Sequence, residues 1–439
     1  MVFFTIQCQR YGNFQKKSLF FIKITPIKFL RKNNINFAVA MRIDALNISE
    51  FDYELPEERI AKYPLQERDQ SRLLVYDHGK ITDSTFANIA DFLDKNTVLV
   101  ANNSKVIPAR LLFRKPTGAK IEIFCLEPAG EKDFAAAFVS KQSVKWHVII
   151  GNAKKWKTGS LERTINTGTE TITLTAQKIT GATSENIVEF KWNRAISFAE
   201  LLEYAGKVPI PPYLRRDTEN IDKERYQTVY AKINGSVAAP TAGLHFTDKV
   251  FKKLETKGIK RLEITLHVSA GTFKPVDSER ITEHQMHEEW IVLEKNQLVQ
   301  LSQAGNITAV GTTSLRALES IYWLGVNIHK GKSNLKVEQW QPYGETTGLS
   351  FVESLHIIRK YMESKNLEQL SFPTEIIIVP GYQVQSSHAL ITNFHQPKST
   401  LLLLIAALVG DDWKKIYEHA LSGEYRFLSY GDASLLKFG

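Results

Sequence analysis

The sequence predicts an α/β protein: a mixed α/β main domain that carries a small antiparallel β-barrel domain inserted within it. Three observations predict this. Four short apolar runs in the second half each end in a polar or glycine-containing cluster, the pattern of strands that feed an α/β sheet. Residues 107–196 change character to short alternating runs broken by Gly, Lys and Thr, which is strand patterning. Text with helical character lies on both sides of that stretch, so the chain divides into a leader (1–40), a main domain in two pieces (41–106 and 197–439) and the insert (107–196).

The leader is rich in Phe, Asn and Lys and lacks both periodicity and acids. Acidic residues and regular patterning begin at Met41, which is the expected start of the folded part, a targeting or binding arm being the other reading. The leader also contains seven of the basic residues: Arg10, Lys16, Lys17, Lys23, Lys28, Arg31 and Lys32. Removing those seven from the net charge of +9 leaves +2, so overall basicity says little about nucleic acid and any RNA site has to rest on a local patch.

Elements follow in order. Leu55-Pro56-Glu57-Glu58-Arg59-Ile60 predicts a helix opened by its proline, and Val98 to Ala101 a short buried strand before Asn102-Asn103-Ser104-Lys105. In the insert, strands are expected at Ala119–Leu126, Phe134–Val139, Lys145–Ile150, Thr171–Ala176 and Ile187–Trp192. Phe198 to Ala205 reads as a helix stopped by Gly206 and the following Val208-Pro209-Ile210-Pro211-Pro212. The four later strands are Arg261–Val268, Ile307–Val310, Glu375–Val379 and Ala389–Thr392, and their polar ends predict a ligand site along the carboxyl edge. Leu401 to Val409 is about half the roughly 20 residues a membrane helix needs, and predicts a buried core helix. Two cysteines, Cys8 and Cys125, lie too far apart for a thiolate metal site or disulfide framework, which fits a reducing compartment.

The candidate chemistry gathers in a few segments. Ser236 to Thr247 is a run of small residues, including Thr241, that ends near His245; small side chains let a backbone approach a ligand closely. Thr247 and Asp248 can cap the next helix, which places His245 near a positive helix end; a core histidine bonded to a carbonyl is the alternative. His267 alternates out of phase with Leu266 and Val268 and therefore faces the opposite side of its strand, before Thr272. Gly311-Thr312-Thr313-Ser314-Leu315-Arg316 is a strand-to-helix corner suited to a carboxylate or phosphate, with Arg316 one turn in; simple capping with a surface pair to Glu319 is the other possibility. His395 and Lys398 stand before a second helix start, and Arg426 and Asp432 sit among aromatics near the end. His284 and His287 have a spacing that could hold zinc, but no fourth ligand is near and no metal site is expected. Lys141, Lys145, Lys154, Lys155 and Lys157 with Trp146 and Trp156 could contact phosphates and stack bases, or could simply protect hairpin edges.

Taken as a set, SVAAPTAGLHFT (Ser236–Thr247), GTFKPV (Gly271–Val276), MHEEW (Met286–Trp290), VGTTSLRALES (Val310–Ser320), TNFHQPKSTLL (Thr392–Leu402) and YRFLSYGDASL (Tyr425–Leu435) resemble the S-adenosylmethionine:tRNA ribosyltransferase-isomerase family of queuosine synthesis. VIPARL (Val106–Leu111) and VPIPPYLRR (Val208–Arg216) are similar too, so the likeness spans 41–439. The resemblance implies an α/β domain with an inserted barrel, S-adenosylmethionine as co-substrate, and no metal or tightly bound cofactor. It implies as partner a tRNA with a GUN anticodon, whose 7-aminomethyl-7-deazaguanine at the wobble position becomes epoxyqueuosine while adenine and methionine leave. A monomer in the cytoplasm, away from membranes, is expected. A sulfonium acidifies the adjacent C5′ protons, so a positioned base can form an ylide-like carbanion while the exocyclic amine attacks the ribose. His245 is the first candidate for proton transfer, with His267 and His395 as alternates. Thr241, Thr272, Thr312, Thr313, Arg316, Lys398, Arg426 and Asp432 are the candidate substrate-binding residues. The family's usual N-D-T-R before VIPAR is Asn102-Asn103-Ser104-Lys105 here, which leaves an altered or non-catalytic tRNA-binding relative as the rival. A methyltransferase is the other rival, and the chain lacks the G-x-G-x-x-G loop that it would be expected to show.

Overall fold

A computed structural model describes residue 43 and residues 46–439, apart from 131–133, 180–185, 269–275, 277 and 346. Its strands, in chain order, are β1 (Arg72–Asp77), β2 (Lys80–Thr85), β3 (Thr97–Asn102), β4 (Ser104–Val106), β5 (Arg110–Arg114), β6 (Lys120–Pro128), β7 (Ser143–Gly151), β8 (Ser160–Asn166) and β9 (Thr171–Ile179). They continue with β10 (Ile187–Trp192), β11 (Gly206–Lys207), β12 (Ile233–Ser236), β13 (Lys260–His267), β14 (Glu289–Glu294), β15 (Asn306–Val310), β16 (Gln369–Thr374), β17 (Ala389–Asn393) and β18 (Ala433–Lys437). The helices used below are α1 (Phe134–Val139), α2 (Phe198–Ala205), α3 (Asp248–Thr256), α4 (Thr312–His329), α5 (Phe351–Ser364) and α6 (Thr400–Val409).

The protein is mixed α/β. Nine strands form one sheet in the order β16-β14-β13-β3-β15-β17-β18-β1-β2. At its centre β13, β3, β15 and β17 run parallel, so their carboxyl ends share one edge, and antiparallel β18 starts beside the end of β17. Parallel strands need both faces covered, which is why NITAV and ALITN are buried almost throughout. Side chains alternate between two cores. Val100, Ile307, Ala309 and Leu390 face α4, α5 and α6, while Leu99, Ala101, Val310 and Ile391 face α3 and Phe86.

Helix α4 lies almost wholly inside, so its two ionic side chains need partners there. Arg316 pairs with Glu289 at 2.8 Å, and Glu319 accepts the amides of Gln385 and Ser386, each at 3.0 Å, together with the hydroxyls of Tyr382 and Ser386. The surface pair between Arg316 and Glu319 that stood as the other possibility is therefore replaced by two separate buried arrangements.

The insert forms a curled, seven-stranded antiparallel sheet in the order β11-β5-β6-β7-β10-β9-β8, with a core of its own. Its outer strands approach closely enough for Arg163 on β8 to donate to the Leu112 carbonyl on β5 at 3.3 Å, although no ladder joins β8 to β5 among the described residues. The sheet reaches past residue 196 to β11, and α2 buries Phe198, Leu201 and Leu202 in the same core.

Three expected elements differ. Phe134–Val139 is a helix: three alanines favour it, and Phe134, Ala137 and Phe138 place one face inward at helical spacing. Glu57–Arg59 is a single 3-10 turn, because Arg59 and Ala61 bond to Phe427 and draw the chain out. The strand expected at Glu375–Val379 lies one step earlier, as β16. The apolar run itself is satisfied outside any ladder by the Val337 and Gln339 carbonyls, the Thr374 hydroxyl and the Tyr343 hydroxyl. The core helix expected at 401–409 is present as α6.

Candidate functional site

The carboxyl edge of the parallel strands opens into a hollow. It is lined by the small-residue loop Ala238–Ala242, by Gly311–Thr313 after β15, by Thr392–Gln396 at the end of β17 and by Ser399–Leu401 at the start of α6; Tyr213, Val268, Leu428 and Ser429 complete the wall. The recurrence of polar clusters after the strands predicts a hollow at this edge. Gly311 makes the corner possible. Its φ of 90° lies where side chains are strained, and it turns β15 directly into α4 without a side-chain cap. The first amides of α4 thus face the hollow with the helix dipole behind them. Ser314 Oγ is already occupied by the Val310 carbonyl at 2.7 Å, whereas the buried Thr313 Oγ1 has no hydrogen-bond partner among the described residues.

The three candidate histidines separate. His395 lines the hollow; its Nε2 meets Thr392 Oγ1 at 2.9 Å, and burial holds its pKa down to about 3. His245 is a buried histidine behind the hollow, with Nδ1 at 2.8 Å from Ser71 Oγ and Nε2 at 3.1 Å from Asn393 Nδ2. Burial pushes its pKa down to about 4, with Arg426 and Arg68 acting in the same direction against Asp432. It borders a second, smaller hollow with Arg68, Arg225 and Arg426. The carbonyl partner considered for it is replaced by a hydroxyl and an amide. His267 faces away from Leu266 and Val268 as alternation predicts, and its ring stacks on Phe134 at 4.5 Å and 9°. Gly235 is required beside it, since a Cβ there would come within 2.2 Å of the imidazole.

Of the candidate binding residues, Thr241, Thr312 and Thr313 line the hollow with His395. Arg316 is committed to Glu289 in the core, and Lys398 to Asp52 at 2.8 Å on the surface. Asp432 accepts the Arg72 and Arg426 amides at 3.0 and 2.8 Å and pairs with the Arg426 guanidinium, which ties the last loop to β1. Thr272 lies outside the described residues. Among the described residues no three His, Cys, Asp or Glu side chains gather as a metal site. Base stacking on Trp146 and Trp156 is ruled out because both rings are fully buried, Trp146 against Phe134, Phe138 and Phe198; the five nearby lysines stay exposed.

Sequence reasoning passed over Asn393 and Ser71. Asn393 follows Thr392 in the polar end of its strand, a signal available beforehand; Ser71 becomes visible only once the fold brings it to His245. The unusual Asn103 sits away from the hollow, where its Oδ1 accepts the Thr265 hydroxyl at 2.8 Å, a bond that a carboxylate would accept equally. Lys105 is half-buried on β4 beside Asn234.

The sequence model of a family described as "Queuosine biosynthesis protein" matches residues 48–436. S-adenosylmethionine:tRNA ribosyltransferase-isomerase of Dichelobacter nodosus is 39% identical over 401 residues, covering 89% of this chain and 96% of that protein. Its namesakes from Legionella pneumophila strain Paris and Chlorobaculum parvum are 39% and 36% identical over 398 residues, each covered completely. A solved S-adenosylmethionine tRNA ribosyltransferase from Thermotoga maritima covers 88% of this chain and 100% of its own, at 28% identity and a TM-score of 0.43.

Proposed function

The chain belongs to the queuosine biosynthesis protein family, and from that premise we infer that it works as an S-adenosylmethionine:tRNA ribosyltransferase-isomerase. The observation that carries this is 39% identity extending over 96% of a relative with that name. S-adenosylmethionine is the co-substrate and tRNA the acceptor. The ribosyl group is transferred and isomerised onto 7-aminomethyl-7-deazaguanine, and adenine and methionine are released. No helix among the described residues is long and apolar enough to cross a membrane.

The finer reading concerns the site and its setting. We propose that the hollow at the carboxyl edge seats S-adenosylmethionine, with the methionyl carboxylate at the mouth of α4 against Thr312 and Thr313. Thr241 and the small residues around it let the ligand lie close to the backbone. His395 takes first place over His245 as the acceptor of the C5′ proton, because it lines the hollow and burial keeps it neutral. The neighbouring methionyl carboxylate would raise its basicity toward the working range. The remaining proposals are a GUN-anticodon tRNA read at its wobble position, a monomeric cytoplasmic enzyme, and residues 107–196 acting as a barrel-like inserted domain whose exposed lysines meet RNA phosphates.

The test mixes the full chain with S-adenosylmethionine and tRNA carrying 7-aminomethyl-7-deazaguanine, and follows adenine and nucleoside mass. Adenine and epoxyqueuosine should appear together, and His395→Ala should lose both while still binding S-adenosylmethionine. Binding of both substrates by the wild-type chain without adenine release would establish a non-catalytic tRNA-binding relative instead, and a methylated nucleoside would indicate a methyltransferase.

A further inference from the structure

We propose that Asn393 is the receptor for the α-ammonium of the methionyl group, its side-chain oxygen held in place by a Ser71–His245 pair behind it. This rests on the reading that the hollow seats S-adenosylmethionine.

Asn393 ends β17, and the corner at Gly311 ends its parallel neighbour β15. Val310 registers with Ile391, and the Gly311 amide donates to the Ile391 carbonyl at 2.8 Å. Paired strands lie about 4.8 Å apart, so the mouth of α4 and the Asn393 side chain border the same space. Both line the hollow.

The carboxamide is fixed by its nitrogen. Asn393 Nδ2 meets His245 Nε2 at 3.1 Å and the Asp432 carbonyl at 3.4 Å, two acceptors on one side. Turning the amide over would set its oxygen against that carbonyl. An amide nitrogen only donates, so Nε2 is the bare ring nitrogen, and the ring proton lies on Nδ1 and is donated to Ser71 Oγ at 2.8 Å. Burial favours this neutral ring, so His245 itself sets no positive charge directly against the amide.

With the nitrogen side satisfied, Oδ1 is buried and accepts no hydrogen bond among the described residues. Thr313 Oγ1 is in the same position one strand away. A buried polar atom left unmatched is costly, and such atoms call for an explanation. Here a hydroxyl lies at the positive end of a helix and a carbonyl oxygen lies beside it. That pair of groups matches the two halves of an α-amino acid zwitterion, the carboxylate going to the helix and the ammonium to the amide oxygen. His245 is then a positioning residue, acting on the ligand through Asn393.

The experiment measures dissociation constants of the full chain for S-adenosylmethionine, for its analogue lacking the α-amino group and for its decarboxylated analogue. The wild-type chain should prefer S-adenosylmethionine to the deaminated analogue by about tenfold or more, the scale of a hydrogen bond to a charged group. Asn393→Ala should bring that ratio to within about twofold of unity while keeping the preference over the decarboxylated analogue, and Asn393→Asp should retain it. Thr313→Val should do the reverse. His245→Gln can accept from Asn393 and donate to Ser71, so it should keep the preference for the ammonium. If Asn393→Ala is folded and its ratio is unchanged, the inference is overturned; the hollow still seats S-adenosylmethionine if Thr313→Val has lost the carboxylate preference. If neither variant moves either ratio, the seating itself fails.

Discussion

The carboxyl edge of the nine-stranded sheet and the curled sheet of the insert are both built from buried strands, yet they treat polar side chains oppositely. The edge buries Thr312, Thr313, Thr392, Asn393 and His395 at the ends of two neighbouring strands. Among the described residues from 107 to 196, no polar or charged side chain is buried. Burying polar groups is costly unless something satisfies them, and their concentration at the edge is what the proposed ligand site rests on. The insert has an apolar interior and keeps its charges outside, the character of a scaffold.

The sharpest way to break this comparison is His395→Ala. Loss of a general base should lower the rate of adenine release by about 10²–10⁴-fold in single-turnover assays, and a rate within twofold of wild type would remove His395 from the chemistry. In the insert the corresponding large change is Trp146→Ala, which should cost about 3–5 kcal/mol in urea unfolding because it empties an aromatic core; a much smaller loss would mean that the core is not shared.

Acid should affect the edge next. Burial holds His245 near 4 and His395 near 3, both below the ordinary value of 6.5. Below pH 6.5 the unfolded chain binds protons on these rings that the native state refuses, so stability should fall from pH 6.5 down to about 4 for His245 and on to about 3 for His395. Urea midpoints that stay flat between pH 7 and 5 would contradict this. The smallest effect belongs to the insert's surface. Replacing Lys154, Lys155 and Lys157 together by Ala should raise the KM for tRNA severalfold and lower its salt slope by about one for each phosphate no longer neutralised, with the affinity for S-adenosylmethionine unchanged.

Much of this was legible in the sequence. The apolar strands ending in polar clusters gave the edge its location, and α2, β15, β17 and α6 lie within a residue or so of expectation, because period and punctuation agree there. Phe134–Val139 was not legible, since an unbroken apolar run fits a strand and a buried helix alike. Glu57–Arg59 lost its helix to pairing with Phe427, more than 360 positions along the chain. At the site, the small-residue loop before His245 put that histidine ahead of His395. Which one faces the hollow depends on the depth of each strand end, and Ser71 enters only through the third dimension. Trp146 and Trp156 looked like stacking platforms because composition does not reveal which side of a hairpin faces the core.

The most direct measurement is photocrosslinking of labelled S-adenosylmethionine to the full chain, followed by mass spectrometry of the labelled peptides. Label within 238–242, 311–313 or 392–401 is the expected result, displaced by excess unlabelled S-adenosylmethionine. Displaceable label confined to 107–196, or to the smaller hollow around Arg68 and Arg225, would contradict the assignment of the carboxyl edge as the ligand site.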